Sequence, residues 1–182
     1  MWRIFPWVVG LAVMAGGLGC DHPAAPASAL PPAAAAPTDF SPTSVPTQAQ
    51  ARLQTIKLYL GAQVLETELA LTGRQMQTGM MFRTNMEEQA GMLFVFPTPQ
   101  HVGFWMKNTL VPLSAAYIDG EGTIREIHPL QPQDTNSVES VSDEIQYVLE
   151  VNQGWFERRN IAVGTVLRTD RGSLRETFFR RP

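Results

Sequence analysis

Residues 91–119, GMLFVFPTPQHVGFWMKNTLVPLSAAYID, leave this chain few ways to fold. The stretch holds two apolar runs, 92–96 and 113–118. Continuous apolar runs of that length, bounded by glycine or proline, are the pattern of strands buried on both faces. Both therefore belong in the middle of a sheet, with Pro112 at the start of the second, where its missing N–H is tolerated. Between the runs a further strand is expected around 102–106. There the aromatic pair Phe104-Trp105 leads into a short polar insert, Lys107-Asn108-Thr109.

The flanking sequence supplies the remaining elements. Ile56, Leu58 and Leu60 alternate with polar neighbours, Gly61-Ala62-Gln63 turns the chain, and Leu65, Thr67, Leu69 and Leu71 alternate again, which reads as a hairpin. Thr72 and Gln75 fit a capping box opening a short helix with Met76 and Met80 on one face, and Asn85 is placed to cap another turn. Asp119-Gly120-Glu121-Gly122 is a turn into a partner strand at 124–128. Residues 129–143 read as a long polar loop, 145–151 as a strand, 155–159 as a short helical segment, and 163–168 as the strand that closes the sheet. The predicted fold class is α+β: a compact, mainly antiparallel β-barrel or sandwich of about seven short strands with one or two short helices. After Asp170 the chain carries Arg171, Arg175, Arg180 and Arg181 and is expected to be a solvated, frayed basic tail, 171–182.

Ahead of the globular region, 51–170, lie two segments of different composition. Arg3 is the sole charged residue before Asp21, and 4–18 is apolar and small, interrupted by Pro6. A spanning helix needs about 20 apolar residues, so 1–20 fits a signal peptide better. Its end, Gly16-Gly17-Leu18-Gly19-Cys20, resembles a bacterial lipoprotein signal, although the large apolar residue expected three before the cysteine is Gly17. The resemblance implies lipidation at Cys20 and membrane attachment without a spanning helix. Plain secretion with a cut near Ala25-Pro26-Ala27 and an uncleaved anchor are the alternatives, and all three export the domain to the cell envelope. The Pro/Ala/Ser/Thr-rich linker 21–50 lacks the large apolar residues needed to offset ordering entropy and reads as an extended, disordered spacer.

Several function classes find no support. The net charge of −3 offers no basic footprint for nucleic acid. A single cysteine gives no disulfide framework. Ser114 and Ser137 sit in no nucleophile elbow, and the glycines form no phosphate loop. His101 and His128, even joined by Asp119 or Asp134, lack metal-ligand spacing. The uneven set Met76, Met80, Met81, Met86, Met92 and Met106 could hold Cu(I), but filling irregular core space explains it better. No cofactor is expected.

A run of motifs resembles the prokaryotic family known as domain of unknown function 192. They are Gly79-Met80-Met81-Phe82-Arg83, Gly91-Met92-Leu93-Phe94, Trp105-Met106-Lys107-Asn108-Thr109, Val111-Pro112-Leu113-Ser114, Val148-Leu149-Glu150 with Gly154, and Ile161 with Gly164-Thr165, spanning roughly 56–169. Ser114 and Thr165 stand where the family pattern has Asp. The resemblance implies no settled activity. The best candidate site is Trp105, Lys107, Asn108 and Thr109, with Arg83 and Glu150 expected to converge on it. A ring, an ammonium and an amide together can hold a polar ligand. The structural alternative makes Asn108 and Thr109 turn residues, Lys107 and Glu150 an ion pair, and Trp105 core. The function expected is a non-enzymatic, envelope-exposed module binding a small polar ligand or a partner protein. The alternative is a hydrolase or transferase whose site lies around Trp105, Lys107 and Glu150.

Overall fold

The computed structural model describes residues 45–180. The leader, Cys20 and the spacer as far as residue 44 lie outside the described residues. Within them run β1 (Thr55–Leu60), β2 (Gln63–Ala70), α1 (Gly73–Thr78), β3 (Ala90–Gln100), β4 (Gly103–Phe104), β5 (Leu113–Asp119) and β6 (Ile124–Leu130). They are followed by β7 (Val138–Glu139), β8 (Ile145–Asn152), α2 (Trp155–Arg158), β9 (Leu167–Thr169), β10 (Gly172–Ser173) and α3 (Leu174–Phe179).

Eight strands form one mixed sheet in the order β10-β9-β1-β2-β3-β8-β5-β6, and β4 with β7 forms a separate two-stranded ribbon. The fold is α+β and sandwich-like, as expected. The barrel alternative is not realised: a lone bridge, Thr123 to Val166, brings the ends of the sheet together at one corner without closing it. All pairings in the large sheet are antiparallel except β2 with β3. That exception has a local cause. The crossover through α1 and 79–89 is long enough to return the chain in the same direction, which a tight turn cannot do.

The apolar runs lie in the sheet interior. β8 sits between β3 and β5, and all of β5 but its last residue is buried. Register gives each face its side chains: Met92, Glu150 and Ala115 stand side by side on one face, with Phe94, Val148 and Tyr117 in the next row. The helix α1, residues 79–89, residues 101–112 and the β4–β7 ribbon cover this face, through Met80, Val102, Met106, Val111 and Phe104. The other face carries Leu93, Leu149 and Tyr147, and Tyr147 packs against Phe178 and Phe179 of α3.

Three expectations need correction. The strand near 102–106 shrinks to Gly103–Phe104 and pairs outside the main sheet, with β7, which arises from the segment read as loop. The tail after Asp170 is not frayed through residue 180: Ser173 and Glu176 form a capping box, and α3 buries Leu174 and Phe178. Lastly, order begins before residue 51, since the Gln50 amide donates to the Gln75 and Gly79 carbonyls at 3.1 and 2.9 Å.

Candidate functional site

The helix α1 begins at a capping box, in which the Thr72 hydroxyl accepts from the Gln75 N–H and the Gln75 side chain accepts from the Thr72 N–H at 3.0 Å. It stops at Gly79, which takes φ +45°, and a Cβ there would stand 3.4 Å from the Phe94 ring. Glycine therefore suits the positive φ that ends the helix, and the Phe94 ring packs beneath it at ordinary contact distance. The chain then turns through Met80 and Met81. Phe82 adopts φ +63°, and its N–H donates to the carbonyl of Asn108, itself at φ +58°. Two residues in left-handed conformations thus fasten 79–83 to the polar insert. Non-glycine residues hold that backbone only where their surroundings fix it, and such places gather at binding sites.

Between these segments and the sheet lies a cleft of about 330 Å³. Phe94, Phe96 and Glu150 line it from the sheet, Met76, Met80 and Met81 from α1 and the turn after it, and Phe104, Trp105 and Thr109 from the remaining sides. His101 also lines it and lies 3.5 Å from the Glu139 carboxylate. The volume is at the small end of the range for ligand pockets, and the apolar and aromatic lining with a few polar groups is typical of them.

Glu150 is the unusual member. It is 4% exposed, and its Oε2 has no hydrogen-bond partner. Burial alone pushes its carboxyl up to about 8, with no cation acting to lower it. At neutral pH the group is therefore mostly a neutral acid. Strand register explains its position: Glu150 faces Met92 on one side and Ala115 on the other, in a row pointing at the covering segments. Tyr117, one row further along that face, is also raised well above the ordinary phenol value, by burial first and then by the Glu150, Glu126 and Glu139 carboxylates.

The structure divides the sequence candidates. Glu150, Thr109 and Trp105 meet at the cleft. Trp105 is 47% exposed, so it is a rim residue and not core. Lys107 holds its ammonium 5.3 Å from the Trp105 ring centroid, within cation–π range, and makes no pair with Glu150. Asn108 serves the turn through its backbone. Arg83 points elsewhere: its guanidinium grips both Glu68 carboxylate oxygens, and it borders a separate cleft with Gln50, Asn85 and Met86. His128 bonds Glu126 at 2.9 Å, and among the described residues no group of three or more His, Cys, Asp or Glu is placed to hold a metal ion. Ser114 has a structural partner, accepting from the Gly154 N–H at 3.0 Å to tie β5 to the start of α2.

Sequence reading does not assign Met76, Met80, Met81, Phe94 and Phe96 to the site. Their signal is the crowding of thioethers and rings, which core packing equally explains.

The sequence matches the profile of domain of unknown function 192, described as an uncharacterized ACR, over residues 56–169. No curated protein matches. Among solved structures, the chain is similar to a proposed transcription regulator from Sinorhizobium meliloti 1021, at 32% identity and a TM-score of 0.61, over 66% of this chain and 98% of that one. It is also similar to a protein of unknown function from Novosphingobium aromaticivorans DSM 12444, at 27% identity and a TM-score of 0.62, over 69% of this chain and 94% of that one.

Proposed function

Since the chain belongs to the family of domain of unknown function 192, whose membership assigns no activity, we propose from its own residues that it is a small-molecule-binding module of the cell envelope. The observation that carries this reading is Glu150, a buried carboxyl with an unpartnered oxygen lining a cleft of aromatic rings and thioethers. An unsatisfied buried polar group is unfavourable by about 1–3 kcal/mol, so a fold that keeps one beside a cleft gains when a ligand bonds it. Trp105 at the rim supplies a stacking surface. The regulator description of the Sinorhizobium structure is not carried over, because a net charge of −3 does not favour DNA.

The test is native mass spectrometry on the protein purified from its own envelope, compared with its denatured mass. A reproducible adduct lost on denaturation is expected, and a bare native mass would count against the reading. Trp105→Ala should weaken binding of that adduct at least tenfold while changing stability by less than about 1 kcal/mol, since the ring is half exposed. Loss of folding in that variant, read by thermal denaturation, would instead make the ring structural.

Envelope location and the lipid tether rest on the leader sequence and on Cys20. Among the described residues no helix is long and apolar enough to cross a membrane, so attachment would have to come from elsewhere in the chain. Cys20→Ser should move the protein from the membrane fraction to the soluble fraction. Unchanged fractionation would remove the lipid.

The second reading, a hydrolase or transferase, is favoured by one feature: a carboxyl raised to about 8 is suited to proton transfer near neutrality. Lys107, held over Trp105, is not a partner for it. Incubation of the protein with its released adduct checks this reading. An adduct recovered chemically unchanged argues for binding without turnover.

A further inference from the structure

Rings and thioethers make much of the cleft electron-rich. Its lining holds the rings of Phe94, Phe96, Phe104 and Trp105, the thioethers of Met76, Met80 and Met81, and the Glu150 carboxyl, beside the His101 imidazole and the Gln77 and Gln100 amides, with no lysine or arginine. Aromatic faces carry negative partial charge and attract cations, and thioether sulfur is soft and polarisable. The Trp105 ring already receives an ammonium, that of Lys107 at 5.3 Å. Resting on the binding-module reading above, we propose that the occupant is a compact organic cation: an amine whose N–H⁺ bonds the unpartnered Glu150 oxygen and whose apolar body lies against Phe94, Phe104 and the methionines.

An anion would meet the carboxyl with no counter-charge. A neutral alcohol or amide could accept a hydrogen bond from the protonated acid but would gain nothing from the rings beyond contact. An ammonium uses both, and its charge would oppose the burial that raises Glu150.

The neighbouring charges do not fill that role. On β2, Glu68 is held by Arg83. On β5, Tyr117 donates its hydroxyl to the Val138 carbonyl. On β6, His128 is held by Glu126, and on the covering segments His101 faces Glu139 while Lys107 stays over Trp105. Glu150 is therefore the buried carboxyl of the cleft that lacks a partner, whereas His101, which also lines the cleft, faces Glu139. Binding an ammonium ionises it and expels one proton. Between pH 6 and 8 affinity for a cation should rise about tenfold per unit and then level off.

The experiment uses three probes sharing one ring and one short spacer: 2-phenylethylamine, 2-phenylethanol and phenylacetate. Each is titrated calorimetrically into the full chain at pH 6, 7 and 8, in buffers of differing ionisation enthalpy. The amine should bind at least tenfold tighter than the alcohol at pH 8, and with release of close to one proton at pH 6. Phenylacetate should bind weakest. Glu150→Gln, nearly isosteric and uncharged, should abolish the amine's advantage over the alcohol and its proton release. Alcohol binding as tight as amine binding, or amine binding without proton release, overturns the cation assignment and leaves the binding-module reading in place. Failure of all three probes also overturns it, and a bare native mass alongside would remove the binding-module reading as well.

Discussion

Glu150→Gln should make the folded protein more stable, and the gain should grow with pH. The sign follows from the direction of the shift. Burial raises the Glu150 carboxyl from 4.5 to about 8, so the folded state holds its proton where the unfolded chain has released it. A raised carboxyl contributes no penalty below the unfolded value. Stability then falls as pH rises from 4.5 to about 8 and levels off beyond. Each unit corresponds to about 1.4 kcal/mol, so the interval from pH 5 to pH 8 contributes on the order of 4 kcal/mol. The amide that replaces the carboxyl in the variant does not titrate and has no such dependence. Urea denaturation of both proteins at pH 5 and pH 9 should give near-equal stabilities at the lower pH and a gap of about 4 kcal/mol at the higher. A gap independent of pH would mean that Glu150 is solvated or paired in solution, and the electron-rich cleft would lose its central group. Any amine that binds the cleft should narrow the gap, because it lowers the penalty on the ionised carboxyl.

How far the sequence reveals this arrangement depends on the range of the interaction. The hairpin of β1 and β2 is legible because period-2 alternation is local, and the Thr72 capping box because its residues lie three apart. The β5 and β8 strands are legible because both faces are buried, which writes an apolar run into the sequence. The ribbon of β4 and β7 is hidden, since two-residue strands carry no period. So is the extent of β3: it continues through Pro97 and Pro99 to Gln100, past a register shift after Val95, where proline's missing donor is tolerated. The helix α3 is obscured by Arg175 and the arginines that flank it, although Ser173 and Glu176 carry the same capping signature as Thr72 and Gln75. At the site, Glu150 is visible as the one charge inside an apolar strand, and Trp105 as a ring beside a polar turn. The partner of Arg83 is not visible. Glu68 lies on a strand, fifteen residues away in sequence, and only the crossover brings the two together.

Arg83→Ala should destabilise the fold by about 3 kcal/mol, the lower end for a buried ion pair broken on one side, because the pair keeps some solvent contact. The guanidinium binds both Glu68 oxygens, and one of these also accepts from the Leu53 N–H at 2.7 Å. Burial pushes the Glu68 carboxyl up. The hydrogen bonds from Arg83 and Leu53, with the Arg83 and Arg52 charges, outweigh this and hold it below the ordinary value. A depressed carboxyl contributes stability that is present above 4.5 and is lost as pH falls. Without Arg83, burial is opposed by far less, Glu68 takes up its proton more readily, and the deficit of the variant should shrink between pH 7 and pH 4. Glu68→Gln with Arg83→Ala should recover much of the loss, since no buried charge is then left without its partner. Thermal denaturation of the two single variants and the double variant at both pH values measures the coupling directly. If Arg83 instead serves as a clamp for the ligand, Arg83→Ala would fold within about 1 kcal/mol of the parent and lose the adduct. That result would move the binding site across Met80, which lines both clefts, into the one that Arg83 borders.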